Sequence, residues 1–181
     1  FGSAENAWNA PSLELNKLLG EKLSSKFETF RKEFDINEYI KKLRKQKISF
    51  VCLTDKEYPL LLKQIPNAPI ALYVKGNLDL IHPEKLENLR MIAIVGTRHI
   101  THYGREITEM FAESLSESGL TIVSGMAYGV DGIAHKATID AGGKTIAVLG
   151  NGVDLPYPRE NQKLYEEILD SGGLILSEYP P

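Results

Sequence analysis

The sequence is most informative first in what it lacks. It has one cysteine, Cys52, so no intrachain disulfide can hold it together, and a reducing, cytoplasmic setting is expected. No apolar run approaches the roughly 18 residues that a membrane-spanning helix needs, and the start FGSAENAWNAP has neither the basic nor the apolar region of a secretion signal. No membrane partner is therefore expected. Phe1-Gly2-Ser3 reads as left over from expression, and residues 1–11 as a disordered or vector-derived start. Positive charge is also in short supply: 21 Lys and Arg against 24 Asp and Glu leave a net charge of -3. That balance excludes a protein coated in cations that grips nucleic acid over its whole surface. With 43% apolar and 25% charged residues, the composition is that of a folded protein. At 181 residues, one domain and a smaller accessory unit are expected.

Several well-known site patterns are missing as well. Ile122-Val123-Ser124-Gly125 is not G-x-S-x-G, so Ser124, Asp131 and His135 do not read as a hydrolase triad. GGKT at 142–145 would need its first glycine at Thr138 and precedes a strand, whereas a P-loop follows one; an NTPase is disfavoured. Gly96-Thr97-Arg98 puts arginine where a dinucleotide fingerprint needs its second glycine, and Ser124-Gly125 stands where a ribose-binding acid belongs. His99 and His102 lack clustered cysteine or carboxylate partners. No metal and no cofactor are implied.

The distribution of what remains is uneven. Between Glu14 and Lys47 there are ten Lys or Arg against six Asp or Glu, a balance of +4; elsewhere there are 11 against 18, a balance of -7. Any anion site outside the first stretch must be a focused pocket. Leu19, Leu23, Phe27, Phe30 and Phe34 recur at helical spacing, which predicts one buried helical face. Asp35 and Glu38 have the spacing of a capping box opening a second helix, with Ile36, Tyr39, Ile40 and Leu43 on its apolar side. The basic residues of that helix, Lys41, Lys42, Arg44, Lys45 and Lys47, read as a solvated face. Residues 12–50 thus form an expected helical unit, and 51–89 a connector carrying lead-in strands, ALYVK among them.

From Arg90 onward, apolar strands alternate with helical stretches: MIAIV, 104–118, LTIVS, 129–141, TIAVL, 160–171 and LILS. Strand centres near Ala93, Ile122, Ala147 and Leu176 lie 25 to 29 residues apart, the length of a βαβ unit. The fold class is α/β: a parallel sheet with helices on both faces over 90–181, after a small helical unit. Ligands of such sheets bind beyond the carboxyl ends of the strands. Three turns at that edge open with glycine: Gly96, Gly125, and Gly150 with Gly152. There the backbone lies open to a ligand, and helix-start N–H groups favour an anion. Arg98 and Arg159 fall in the same turns and offer planar forks for phosphate oxygens, surface ion pairs being the alternative. Tyr103, Tyr128 and Tyr157 are candidates for stacking on bases. Composition and spacing alone do not separate a nucleotide from a DNA strand.

The runs IAIVGTRHITHYG, IVSGMAYGVDGIAH, GGKTIAVLGNGVDLPYPRENQKLYEEI and LILSEYPP closely resemble the DNA-processing protein A family, also called Smf. Tyr58-Pro59 and LYVKG resemble its lead-in, and residues 12–50 its helical, SAM-like N-terminal region. The resemblance implies a Rossmann-like domain that binds single-stranded DNA without catalysis. It also implies a role in natural transformation and recombination, protecting incoming strands and helping to load RecA recombinase. Gly96, Thr97 and Arg98 match the first motif of the family's DNA pocket. Ser124 and Gly125 match the second, and Gly150, Asn151, Gly152 and Arg159 the third. Family members usually continue past SExP with further strands, so the resemblance implies a C-terminally truncated sheet, with dimer and recombinase contacts mainly beyond Pro181. The enzyme alternative is a phosphoribohydrolase-like fold with Glu178 as base, though the PGGxGTxxE pattern of those enzymes is absent.

Overall fold

The computed structural model describes residues 1–83 and 90–181. The last six residues of the expected connector, 84–89, lie outside the described residues. The chain forms two compact units, Phe1–Lys42 and Leu43–Pro181.

The first unit is helical: α1 (Ala4–Trp8), α2 (Ser12–Leu19), α3 (Glu21–Glu33) and the start of α4 (Ile36–Lys45). The chain's start is not the unstructured tail expected of it. Ser3 caps α1 by accepting from the Asn6 amide at 3.0 Å. Trp8 then meets the rings of Phe27, Phe30 and Phe34 edge-on at centroid distances of 5.8 to 6.1 Å. Arg31 Nη1 donates to the carbonyls of Trp8 and Ala10 at 2.7 and 2.9 Å, which ties this start to α3. The expected single apolar face is also divided. Gly20, at φ +74°, separates α2 from α3, and Leu19, Leu23 and Phe30 remain exposed. The capping signal at Asp35 holds: its Oδ1 accepts from the amides of Asn37 and Glu38. Leu43 is buried and opens the second unit, so the division falls earlier than residue 50.

The second unit is built on one six-stranded sheet, in the order β1 (Ser49–Cys52), β2 (Ala71–Gly76), β6 (Leu174–Ser177), β5 (Thr145–Leu149), β4 (Leu120–Ser124), β3 (Arg90–Ala93). Strands β3 to β6 are parallel, as their spacing predicts. The lead-in strands do more than connect. β2 pairs antiparallel with β6, Val74 opposite Leu176, and β1 pairs antiparallel with β2. The helices α6 (His102–Glu117), α7 (Val130–Asp140) and α8 (Gln162–Asp170) make the three crossovers. Each step moves to the adjacent strand in the same direction, so right-handed connections place all three helices on one face of the sheet. Ala112 of α6 and Ala134 and Ala137 of α7 pack with Ile122 of β4. The opposite face is covered differently, by Tyr58, Leu80, Ile81 and the short helix α5 (Leu60–Lys63), whose Leu62 joins Val51, Leu72, Val74, Ile146, Leu174 and Leu176. Among the described residues, no helix is long and apolar enough to cross a membrane.

Candidate nucleic-acid interface

The four parallel strands end at Ala93, Ser124, Leu149 and Ser177, and the turns that follow stand along one edge. Between the turns after β4 and β5 lies a cavity of about 650 Å³. Seven of the twelve residues proposed from sequence line it: Arg98, Gly125, Tyr128, Gly150, Asn151, Tyr157 and Arg159. Leu155, Pro156 and Pro158 form an apolar part of the wall. Arg98 and Arg159 are exposed, and neither makes an ion pair or side-chain hydrogen bond with a described residue, so the surface-pair alternative is not realised. Two uncommitted guanidiniums therefore face solvent at one cleft.

The other five residues act behind the cleft or away from it. Ser124 is buried and its hydroxyl donates to the Ile94 carbonyl at 2.6 Å, which joins the ends of β4 and β3. A Cβ on Gly96 would come within 2.7 Å of Val130 Cγ2; this glycine permits the turn after β3 to close on α7. Thr97 exchanges hydrogen bonds with the backbone of His99 and accepts from the Val130 amide through its carbonyl at 3.2 Å. Gly152 is packed under Pro180. Tyr103 is 72% exposed on the first turn of α6 and does not line the cavity. The α7 amides expected to attract an anion are partly engaged within the protein: Val130 donates to Thr97 and Gly132 to Ala127. The cleft's positive character thus rests on its arginines.

Two side chains that sequence reasoning left unassigned hold the cleft together. Asn161 Nδ2 donates to the Met126 carbonyl at 2.8 Å and more weakly to that of Ala127 at 3.4 Å. It thereby fixes the turn in which fully buried Met126 adopts φ +56°. Glu160 accepts a hydrogen bond from the Tyr128 hydroxyl, pinning the ring against the loop that carries Arg159. That bond, then the Glu160 backbone and the Arg159 charge, hold the Glu160 carboxyl below its usual range; the same bond raises the Tyr128 phenol. The signal for Asn161 was present in YPRENQ, where it lies two residues past Arg159.

Ser124, Asp131 and His135 are engaged separately. Asp131 Oδ2 accepts from the Gly125 amide at 3.2 Å. His135 is fully buried, with Nδ1 2.6 Å from Thr145 Oγ1, and that hydroxyl donates its single proton to the Ile122 carbonyl at 2.8 Å. Nδ1 must then be the donor to Thr145. Burial lowers the His135 pKa to about 4, so it stays neutral as part of the core between α7 and β5.

The model of DNA recombination-mediator protein A matches residues 49–181, the whole length of the sheet from β1 onward. The chain belongs to that family. Among relatives, Protein Smf of Synechocystis is 40% identical over 182 residues, covering 99% of this chain and 45% of that protein. DNA processing protein DprA of Bacillus subtilis is 39% identical over 138 residues, 76% of this chain and 44% of that protein. The chain spans about half the length of the curated relatives it matches. Its fold matches the crystal structure of DprA from Streptococcus pneumoniae with a TM-score of 0.72 at 34% identity, over 97% of this chain and 63% of that one. DprA from Helicobacter pylori, described with a single-stranded DNA binding mode, matches with a TM-score of 0.63 at 33% identity, over 75% of this chain and 57% of that one. In this member of the recombination-mediator family, the cavity lies within the matched residues, between the turns after β4 and β5.

Proposed function

We propose that the cleft between the β4 and β5 turns binds single-stranded DNA, phosphates resting on Arg98 and Arg159 and bases against Tyr128 and Tyr157. The lining carries this reading: two uncommitted guanidiniums, two exposed tyrosines and apolar loop residues, with the neighbouring carboxylate, Glu160, already accepting from Tyr128. Such a surface suits a polyanion with stacked bases. Glu178, the base required by the phosphoribohydrolase alternative, borders a different concavity, with Phe50 and Ile70. The strand-binding description of the Helicobacter pylori relative favours the same ligand. On this reading the protein acts without catalysis in natural transformation and homologous recombination in the cytoplasm. It shields incoming strands and helps to load RecA, and a homodimer is expected of the full-length protein.

Fluorescence anisotropy of labelled oligo-dT tests the cleft. The Arg98→Ala, Arg159→Ala double variant is expected to lose at least about tenfold in affinity, the lower end for a charge-assisted hydrogen bond. A folded double variant that binds as well as the unsubstituted chain would overturn the assignment. A nucleoside monophosphate incubated with the protein is expected to release no free base.

A further inference from the structure

We infer that the DNA path continues past Tyr128 into a second subsite, built around Arg105 and His99, that takes a neighbouring phosphodiester of the same strand; this rests on the reading of the first cavity as a strand-binding cleft. A second concavity of about 640 Å³ adjoins the first. The two share Arg98, Ala127 and Tyr128 as a common wall. A strand that passes over Arg98 and Tyr128 in the first therefore reaches the second across one shared rim. Tyr128 stands at the junction, half exposed and held by Glu160, placed to meet a base from either side. Beyond it, Arg105 and His99 supply donors for phosphate oxygens, and Ile100 and Ile133 supply apolar surface for a sugar or base. Arg105 is about half exposed, and among the described residues its ion pair is the solvent-facing contact with Glu109 at 3.6 Å, one helical turn along α6. Such an exposed pair is weak and readily exchanged for a phosphate.

The same surface shows where the path stops. On the far side of Arg105 the next depression is only about 180 Å³ and carries Glu109, Glu113 and Asp140. Its lysine, Lys136, is already paired with Asp140 at 2.7 Å and Glu167 at 3.3 Å. Carboxylates there repel a polyanion, so the strand ends or leaves the surface at Arg105. The site is a bounded pair of subsites, with Arg98 and Tyr128 between them.

The test is a length series of labelled oligo-dT, from trinucleotide to dodecanucleotide, titrated with the whole chain and its variants and read by anisotropy. Affinity is expected to rise with length and then level off once both subsites are filled. Arg105→Ala is expected to leave unchanged the Kd of the shortest oligomer that binds. It should weaken the longest about tenfold and make its logarithmic salt slope shallower by about 0.7, the value for one phosphate of a single strand. Glu109→Gln, which frees Arg105, should tighten the longest alone. If the unsubstituted chain binds but Arg105→Ala changes no oligomer, or weakens the shortest as much as the longest, the second subsite is overturned while the first cavity stands. If no oligomer of any length binds, the strand-binding reading itself has failed and the subsite with it.

Discussion

At the scale of single residues, the cleft is a balance between two arginines and one carboxylate. Glu160 fixes the Tyr128 ring but sets a negative charge beside Arg159. Glu160→Gln keeps an acceptor for the phenol and removes that charge; oligo-dT binding is expected to tighten by up to about fivefold, the range of an exposed charge interaction. Tyr128→Ala removes the ring and should weaken binding by about tenfold if one base stacks there, whereas Tyr128→Phe should cost far less. Anisotropy separates these outcomes. His135 has a different consequence, in stability. Its folded pKa, about 4, lies below the value near 6.5 of an unfolded histidine, so the unfolded chain takes up the proton first as pH falls. The neutral core histidine contributes fully above pH 6.5, and that contribution, on the order of 3 kcal/mol, is lost progressively between pH 6.5 and 4. Thermal melts over this range should show a falling Tm that is less steep in His135→Gln.

At the scale of elements, the strands and helices of the sheet were legible because each apolar run is bounded by a turn and spaced for a crossover. LTIVS, TIAVL and LILS are strands as read, and helices α6 to α8 fall within a few residues of their expected spans. The placement of all three helices on one face was not legible, because it depends on strand order, which spacing does not encode. Nor was the role of β2, which joins the sheet through pairing with a strand a hundred residues later. The edge and its arginines could be read from glycine-opened turns, but the clamp between those turns could not: Asn161 meets Met126 and Ala127 only once the fold brings two loops together. The order of the chain's start was not legible for the same reason, since it comes from ring contacts between Trp8 and α3 and Phe34. The turn that leads into α7 makes its own prediction. Gly129 turns the chain into α7 at φ +76°, where an added Cβ would lie 2.2 Å from the Thr97 carbonyl. Gly129→Ala is expected to destabilise the second unit by about 3 kcal/mol or more, measurable by urea unfolding.

At the scale of the whole molecule, a net charge of -3 is compatible with polyanion binding only if the cations are local. Every residue of the cleft and its proposed extension lies in the second unit, whereas residues 14–35 carry five Lys or Arg against five Asp or Glu and line neither cavity. A chain beginning at Ile36, which keeps α4 whole, is therefore expected to bind oligo-dT with an unchanged Kd. The salt dependence of oligo-dT binding tests the central claim most directly, compared between the unsubstituted chain and the Arg98→Ala, Arg159→Ala variant. Two phosphates neutralised in a single strand correspond to a loss of about 1.4 in the logarithmic slope on removing both arginines. A slope that is the same in both proteins, or near zero in the unsubstituted chain, would contradict the account.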